Sequence, residues 1–194
     1  IYYKELIQNY PDIIQYPSEN KNLCINNLFF DLNCAIHPCC ANKTNEQEMF
    51  QEILKKINEC IKITNVKDLI YIAIDGPAPR TKMEQQRQRR LRSYHEKKLW
   101  DTNQITPGTP FMKKLNTTLS QYFKDKDNII FSGSDVYGEG EHKLFEHLRT
   151  SSISKDSNII IYGLDADLIM LGLNHLSFNE NLYLYRETPT YINS

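Results

Sequence analysis

Ile70-Tyr-Ile-Ala-Ile-Asp75-Gly-Pro-Ala-Pro-Arg80-Thr-Lys82-Met-Glu-Gln-Gln86-Arg-Gln-Arg89-Arg90 governs how the rest of the chain is read. An apolar run of β-branched and aromatic residues ends on a carboxylate, the signature of a buried strand. Gly76, Pro77 and Pro79 then break the regular backbone, and a dense basic segment follows. A carboxylate at the end of a strand is placed to hold a metal. A cluster of cations a few residues later is placed to hold a phosphate. Both within one short stretch point to an enzyme acting on a phosphorylated substrate.

Outward from this stretch the same strand pattern recurs. Residues 28–32, 69–74, 128–131, 158–162 and 181–185 read as short buried strands. Between them, residues 46–63 carry apolar side chains at helical spacing (Met49, Phe50, Ile53, Leu54, Ile57, Ile61). Residues 109–123 read as a helix opened by Thr106-Pro-Gly-Thr109, and residues 139–149 as another. Residues 165–173 read as a loop running into a helix, and residues 81–100 as polar and helix-prone without an apolar stripe. Strands alternating with helices predict an α/β domain whose mostly parallel central sheet is flanked by helices on both faces. In such sheets the chemistry lies outside the carboxyl ends of the strands.

The chain has 194 residues, enough for one domain with a real core, and 40% apolar and 24% charged residues are ordinary globular values. No apolar run approaches the ~20 residues of a membrane span, and Ile1-Tyr-Tyr-Lys is no signal peptide. The net charge is −1, so there is no overall pull toward nucleic acid. The signs are separated instead: Arg80, Lys82, Arg87, Arg89, Arg90, Arg92, Lys97 and Lys98 share one window, while acids gather at strand ends. Five cysteines (Cys24, Cys34, Cys39, Cys40, Cys60) without a secretory signal argue for reduced thiols and an intracellular setting. The Cys34–His37–Cys39–Cys40 spacing fits no standard zinc finger, so small packed thiols are expected there.

Six acids fall at the carboxyl ends of predicted strands or just beyond: Asp31, Asp75, Glu139, Glu141, Asp165 and Asp167. Singly, each could be a helix cap or turn residue, and Glu139 and Glu141 could simply favour a helix dipole. Six together, beside a basic helix, are hard to explain that way. Crowded carboxylates repel unless cations neutralise them, and oxygen-only ligands suit Mg²⁺ or Mn²⁺. Two such ions ~4 Å apart can activate water and stabilise a leaving oxygen of a phosphodiester. On the basic helix, Lys82, Gln86, Arg89 and Arg90 share one face. That face could be a solvated surface, but its closeness to Asp75 favours capture of a terminal 5′-monophosphate. His37 reads by default as a core or capping residue, and beside acids it could instead stack on a base.

Several of these segments resemble the XRN family of 5′→3′ exoribonucleases. They are Phe30-Asp31-Leu-Asn33-Cys-Ala-Ile-His37-Pro; Ala73 through Arg90; Asp101-Thr-Asn-Gln-Ile-Thr-Pro-Gly-Thr109-Pro-Phe-Met112; Gly138-Glu-Gly-Glu-His-Lys143; and Tyr162-Gly-Leu-Asp165-Ala-Asp167 through Leu173. They occur in the family's order and span almost the whole chain. The resemblance implies a fold related to PIN-like and flap nucleases. It implies that Asp31, Asp75, Glu139, Glu141, Asp165 and Asp167 are catalytic and bind two Mg²⁺ ions. It implies that Lys82, Gln86, Arg89 and Arg90 form a 5′-phosphate pocket and that His37 stacks on the first base. The expected partner is single-stranded RNA with a 5′-monophosphate, hydrolysed processively to nucleoside 5′-monophosphates. No membrane and no particular protein partner is implied, and the motifs mix features of nuclear and cytoplasmic branches.

Departures from the family pattern are plain. No Met-Gly-Ile-Pro-like start precedes Ile1, the segment between Arg92 and Asp101 is short, and a further family acid would lie beyond Ser194. Residues 1–194 are therefore expected to be a single nuclease domain, the N-terminal conserved region, incomplete at both ends. The alternatives are an inactive homologue that binds RNA or acts as a scaffold, and a flap endonuclease, which the Lys82–Arg90 pocket speaks against.

Overall fold

The computed structural model describes residues 2–16, 23–79, 82–84, 87–88 and 100–187. Five parallel strands form its sheet: β1 (Asn27–Asp31), β2 (Leu69–Ala73), β3 (Ile129–Ser132), β4 (Ile159–Tyr162) and β5 (Leu182–Tyr185). Their order is β3-β2-β1-β4-β5, with Phe30 of β1 level with Ile72 on one side and Tyr162 on the other. The helices are α1 (Tyr2–Asn9), α2 (Asn33–Cys40), α3 (Glu46–Thr64), α4 (Pro110–Phe123), α5 (Gly140–Thr150) and α6 (Asp167–Asn174).

Period-two alternation divides each strand between two cores. Leu28 and Phe30 of β1, with Ile70 and Ile72 of β2, face a cluster built by α2, α3 and α4 (Ile36, Met49, Ile53, Ile57, Phe111, Leu115, Leu119). Phe29 and Ala73 face the opposite way, against α5, α6 and β4 (Leu144, Phe145, Leu148, Leu168, Ile159, Ile161). The chain steps outward from β1 to β2 and β3 with its helices on one face. It then returns past β1 to β4 and β5 with its helices on the other. Parallel crossovers of one hand require that change of face when the direction of travel reverses. The reversal leaves a switch point between β1 and β4, where helices diverge and a crevice opens.

Local signals explain the long elements. The Asn45 side chain accepts from Gln47 N at 2.9 Å to cap α3, which carries Glu46 and Glu48 in its first turn and ends at Asn65 in the left-handed region (φ 48°). The Thr109 hydroxyl caps α4 by accepting from Met112 N at 3.3 Å, with Pro110 in the first helical position.

The expected α/β architecture with a mostly parallel sheet is the one found, its five described strands all parallel, with shifts at its edges. The strand expected at 28–32 runs from Asn27 to Asp31, and the helix expected at 139–149 starts at Gly140 with Glu139 as its cap. Residues 33–40, read for their thiols and histidine, form α2, which carries Pro38 inside it. Of the stretch 81–100, residues 82–84 and 87–88 are helical, and Trp100 packs on Phe111 with ring centroids 4.8 Å apart. Cys40 and Cys60 are buried, Cys34 and Cys39 half-buried and Cys24 exposed, all as free thiols. Among the described residues no helix is long and apolar enough to cross a membrane.

Candidate active site

The six acids occupy the carboxyl edge of the sheet around the switch point. Asp31 is the last residue of the central strand and is buried, only 8% exposed. Asp75 lies two residues past β2 and is half-buried. Glu139 and Glu141 straddle the first residue of α5, Glu139 half-buried and Glu141 8% exposed. Asp165 and Asp167 lie past β4, exposed at the rim, where the Asp165 carboxylate accepts from Asp167 N at 3.1 Å.

Gly140 is what lets these segments meet. Its N–H donates to Asp75 Oδ1 at 2.6 Å, placing a carboxylate at the positive end of α5. A Cβ on Gly140 would stand 2.8 Å from Asp31 Oδ1, 2.9 Å from Asn33 Nδ2 and 3.3 Å from Asp75 Oδ1. No side chain fits there, so α5 can approach both strand ends only with glycine at its first position. Gly76 plays the same part in the adjoining loops, since a Cβ would fall 1.7 Å from Val136 O.

Two polar residues tie the acids together. Asn33 donates to Asp31 Oδ1 from its backbone N (3.2 Å) and its amide (3.1 Å), while its own Oδ1 accepts from Asp75 N at 3.3 Å. Lys143 is buried, 4% exposed, and its ammonium donates to the carbonyls of Ile74 (2.8 Å) and Gly133 (2.9 Å). At the rim Arg186 donates to the carbonyls of Asp165 (3.0 Å) and Leu164 (2.5 Å).

The electrostatics show convergence directly. Burial, and next the charge of Asp75, push the Asp31 carboxyl up to about 7, with Asp165 adding to the rise and the Asn33 hydrogen bonds opposing it. Burial pushes Glu141 up to about 7 as well, with Asp165, Glu139, Asp167 and Asp31 contributing in that order. Asp75 is raised by burial and by Glu139, against the Gly140 N–H, Lys143 and Lys82. Burial lowers Lys143 to about 8, against the pull of Asp75 and Asp135. Each of the six acids thus acts on, or is acted on by, another.

Carboxylates buried this way are held at a cost that a bound cation would relieve, because a divalent charge reverses the local logic. Two groups present ligand atoms within 4.8 Å of one another: Glu141, Asp165 and Asp167, and Glu139, Glu141 and His142. Glu141 belongs to both. The oxygen-rich donor set fits a hard divalent cation. Asp31 and Asp75 sit deeper, outside these two tight groups but within reach of their charge.

Of the basic residues, Lys82 lies beside the acids, its ammonium 3.0 Å from Glu139 Oε2, and this contact raises its pKa. Gln86, Arg89 and Arg90 lie outside the described residues. His37 is exposed in the middle of α2, the helix that begins two residues after Asp31. Sequence reasoning passed over His142, Asn33 and Lys143 as site residues. Their signals were present: Asn33 follows Asp31 by two, the spacing of an Asx turn, and His142-Lys143 completes the Gly138-Glu-Gly-Glu run.

A family model described as XRN 5′-3′ exonuclease N-terminus matches residues 1–188. The chain is 36% identical over 227 residues to a Saccharomyces cerevisiae protein named 5′-3′ exoribonuclease 1, covering 98% of this chain and 15% of that protein. It is 38% identical over 199 residues to 5′-3′ exoribonuclease 2 of Aspergillus fumigatus, covering 77% of this chain and 19% of that protein. It is 34% identical over 226 residues to 5′-3′ exoribonuclease 1 of Schizosaccharomyces pombe, covering 98% and 17%. The chain therefore spans less than a quarter of the length of these curated relatives.

Proposed function

The chain belongs to the XRN family, and from that premise we propose that it hydrolyses single-stranded RNA from a 5′-monophosphorylated end, processively, releasing nucleoside 5′-monophosphates. The observation that carries the reading is the meeting of six acids from four chain segments at the β1/β4 switch point, with a lysine beside them.

Asp31, Asp75, Glu139, Glu141, Asp165 and Asp167 would hold two divalent cations, Mg²⁺ or Mn²⁺. When bound, these supply Lewis acidity at the scissile phosphate and acidify water at neutral pH. The remaining work belongs to the chain. Asp31 and Glu141, deep in the crevice, orient the acid cluster while burial keeps bulk water out. Lys82, near Glu139, binds the 5′-phosphate as a point charge; Gln86, Arg89 and Arg90 complete that pocket with planar and neutral donors. A terminal phosphate fixed at a set distance from the acids makes the cut fall one nucleotide along. His37 stacks on the first base and holds it there.

The test uses the full chain in Mg²⁺ with RNAs bearing a 5′-monophosphate, a 5′-hydroxyl or a 5′-triphosphate. Mononucleotides are expected from the monophosphate alone, and Asp165→Ala should reduce their release to background. Equal activity of the two proteins, or release of oligonucleotides from all three ends, overturns the assignment.

A further inference from the structure

Lys143 stands apart among the described lysines: it is 4% exposed, and its ammonium is spent on two main-chain carbonyls rather than on a carboxylate. Lysine is almost never fully buried without a partner, and its location explains the exception. Ile74 O, at 2.8 Å, belongs to the peptide that carries the amide of Asp75. Gly133 O, at 2.9 Å, belongs to the residue that follows β3 and opens the loop leading to Glu139. The backbone N of Lys143 donates to Glu139 O at 3.0 Å, and Glu141 is two residues before it on α5. One side chain thus joins the ends of β2 and β3 to the helix that carries two acids.

We propose that Lys143 is a positioning residue for the metal-binding acids, setting the separation of Asp75 from Glu139 and Glu141 by pinning the β2 and β3 ends to the first turn of α5. The inference rests on the metal-dependent reading above. Gly140 N–H, donating to Asp75 at 2.6 Å, fixes the start of α5 to the same carboxylate; Lys143 fixes the other side of that first turn. The β2 and β3 ends are also joined to each other by Ile74 N donating to Ser132 O at 3.0 Å, but the Lys143 ammonium is what ties both of them to α5, and without it α5 can shift along the sheet edge. A fixed cation this close also repels a divalent one. Simple charge therefore predicts tighter metal binding when it is removed, and positioning predicts weaker binding. The two effects have opposite signs.

The experiment measures Mn²⁺ affinity of the full chain by calorimetry, without RNA, for the wild-type protein, Lys143→Met, Asp75→Asn and the double variant. Leu148→Ala, buried on the same helix, is the control for lost stability alone. Lys143→Met is expected to weaken Mn²⁺ about tenfold, the range seen when outer-shell partners of metal ligands are removed. Leu148→Ala should leave affinity unchanged at a similar loss of stability. The double variant should bind no more weakly than Asp75→Asn alone, because both act through one carboxylate. Unchanged or tighter binding by folded Lys143→Met overturns the proposal, as does full additivity with Asp75→Asn. If Lys143→Met does not fold, Lys143→Gln, whose amide can still donate to one carbonyl, is held to the same expectation and the same refutation. Absence of Mn²⁺ binding by the wild-type protein would defeat the underlying metal reading instead, which keeps the two failures distinct.

Discussion

Replacing Asp31 with Asn should make the metal-free protein more stable while disabling it. The Asp31 carboxyl is raised from 3.8 to about 7 by burial and by Asp75 and Asp165. An acid whose folded-state pKa exceeds its unfolded value binds more protons when folded, so stability falls as pH rises between the two values and stays low above the upper one. At about 1.4 kcal/mol per tenfold change, that rise corresponds to a penalty of roughly 4 kcal/mol for ionising Asp31 in the folded protein at pH 8. Relaxation and water entry reduce it, and we expect about 2 kcal/mol, or a melting temperature higher by roughly 4–8 °C in Asp31→Asn. Asn matches the shape, and its Oδ1 can still accept from Asn33. The assay is urea denaturation in a chelator at pH 8 and pH 5. At pH 5 the folded carboxyl is protonated but the unfolded one is already largely ionised, so the advantage of the variant should shrink to roughly 0.8 kcal/mol, disappearing only below the unfolded value of 3.8. His147, whose pKa burial lowers, tilts stability the opposite way with pH, but it does so in both proteins and cancels. Saturating Mn²⁺ should stabilise the wild type by about 3 kcal/mol at a hundredfold excess over Kd and the variant far less. A variant no more stable than the wild type at pH 8 without metal would refute the claim that burial and neighbouring charge oppose this carboxylate.

Gly140→Ala forces a methyl group to 2.8 Å from Asp31 Oδ1; a loss of about 1–3 kcal/mol by urea denaturation is expected, with weakened Mn²⁺ binding, since α5 must retreat. Thr109→Ala removes the α4 cap that Met112 N uses and should cost about 1 kcal/mol of stability, with Mn²⁺ affinity unchanged. Asn33→Leu removes the side-chain amide that lowers the Asp31 pKa and keeps the backbone N–H that also does so. The pH midpoint of Mn²⁺ binding should therefore move upward, which a calorimetric titration series between pH 5 and 8 would register.

The strands were legible because each is a short apolar run, and such runs in alternation with helices admit few topologies. The acids were legible because four of them (Asp31, Asp75, Asp165 and Asp167) end those runs or follow them within a few residues, and Glu139 and Glu141 open the next helix. Helix α2 was not: eight residues with three cysteines and an internal proline carry no helical signature, and it is Ala35, Ile36 and Cys40, buried against α3 and the sheet, that hold it. Lys143 was not legible either. Lysines in polar surroundings are solvated almost everywhere, and only the approach of the β2 and β3 ends to α5 brings Ile74 O and Gly133 O within reach of its ammonium. Likewise the spacing of Glu139 and Glu141 showed that both could reach one place. It did not show that Glu141 alone would turn inward and join both tight ligand groups.

The placement of the acids follows from the topology as much as from their identity. Asp31 ends the central strand, level with Ala73 of β2 and one residue past the Phe30–Tyr162 pair with β4, so its carboxylate is buried. Asp165 and Asp167 follow β4 across the switch point, where helices from opposite faces diverge, and they remain exposed. The crevice is therefore graded: exposed acids at the rim, and acids whose burial favours the protonated form at its floor. A cation arriving from solvent meets charge first and must displace protons to reach Asp31 and Glu141, which couples its affinity to pH. The same grading explains why so much uncompensated charge survives in one domain. The penalty falls on two buried carboxyls that can stay protonated, while the remaining acids are bathed in water or matched by Lys82 and the Gly140 N–H.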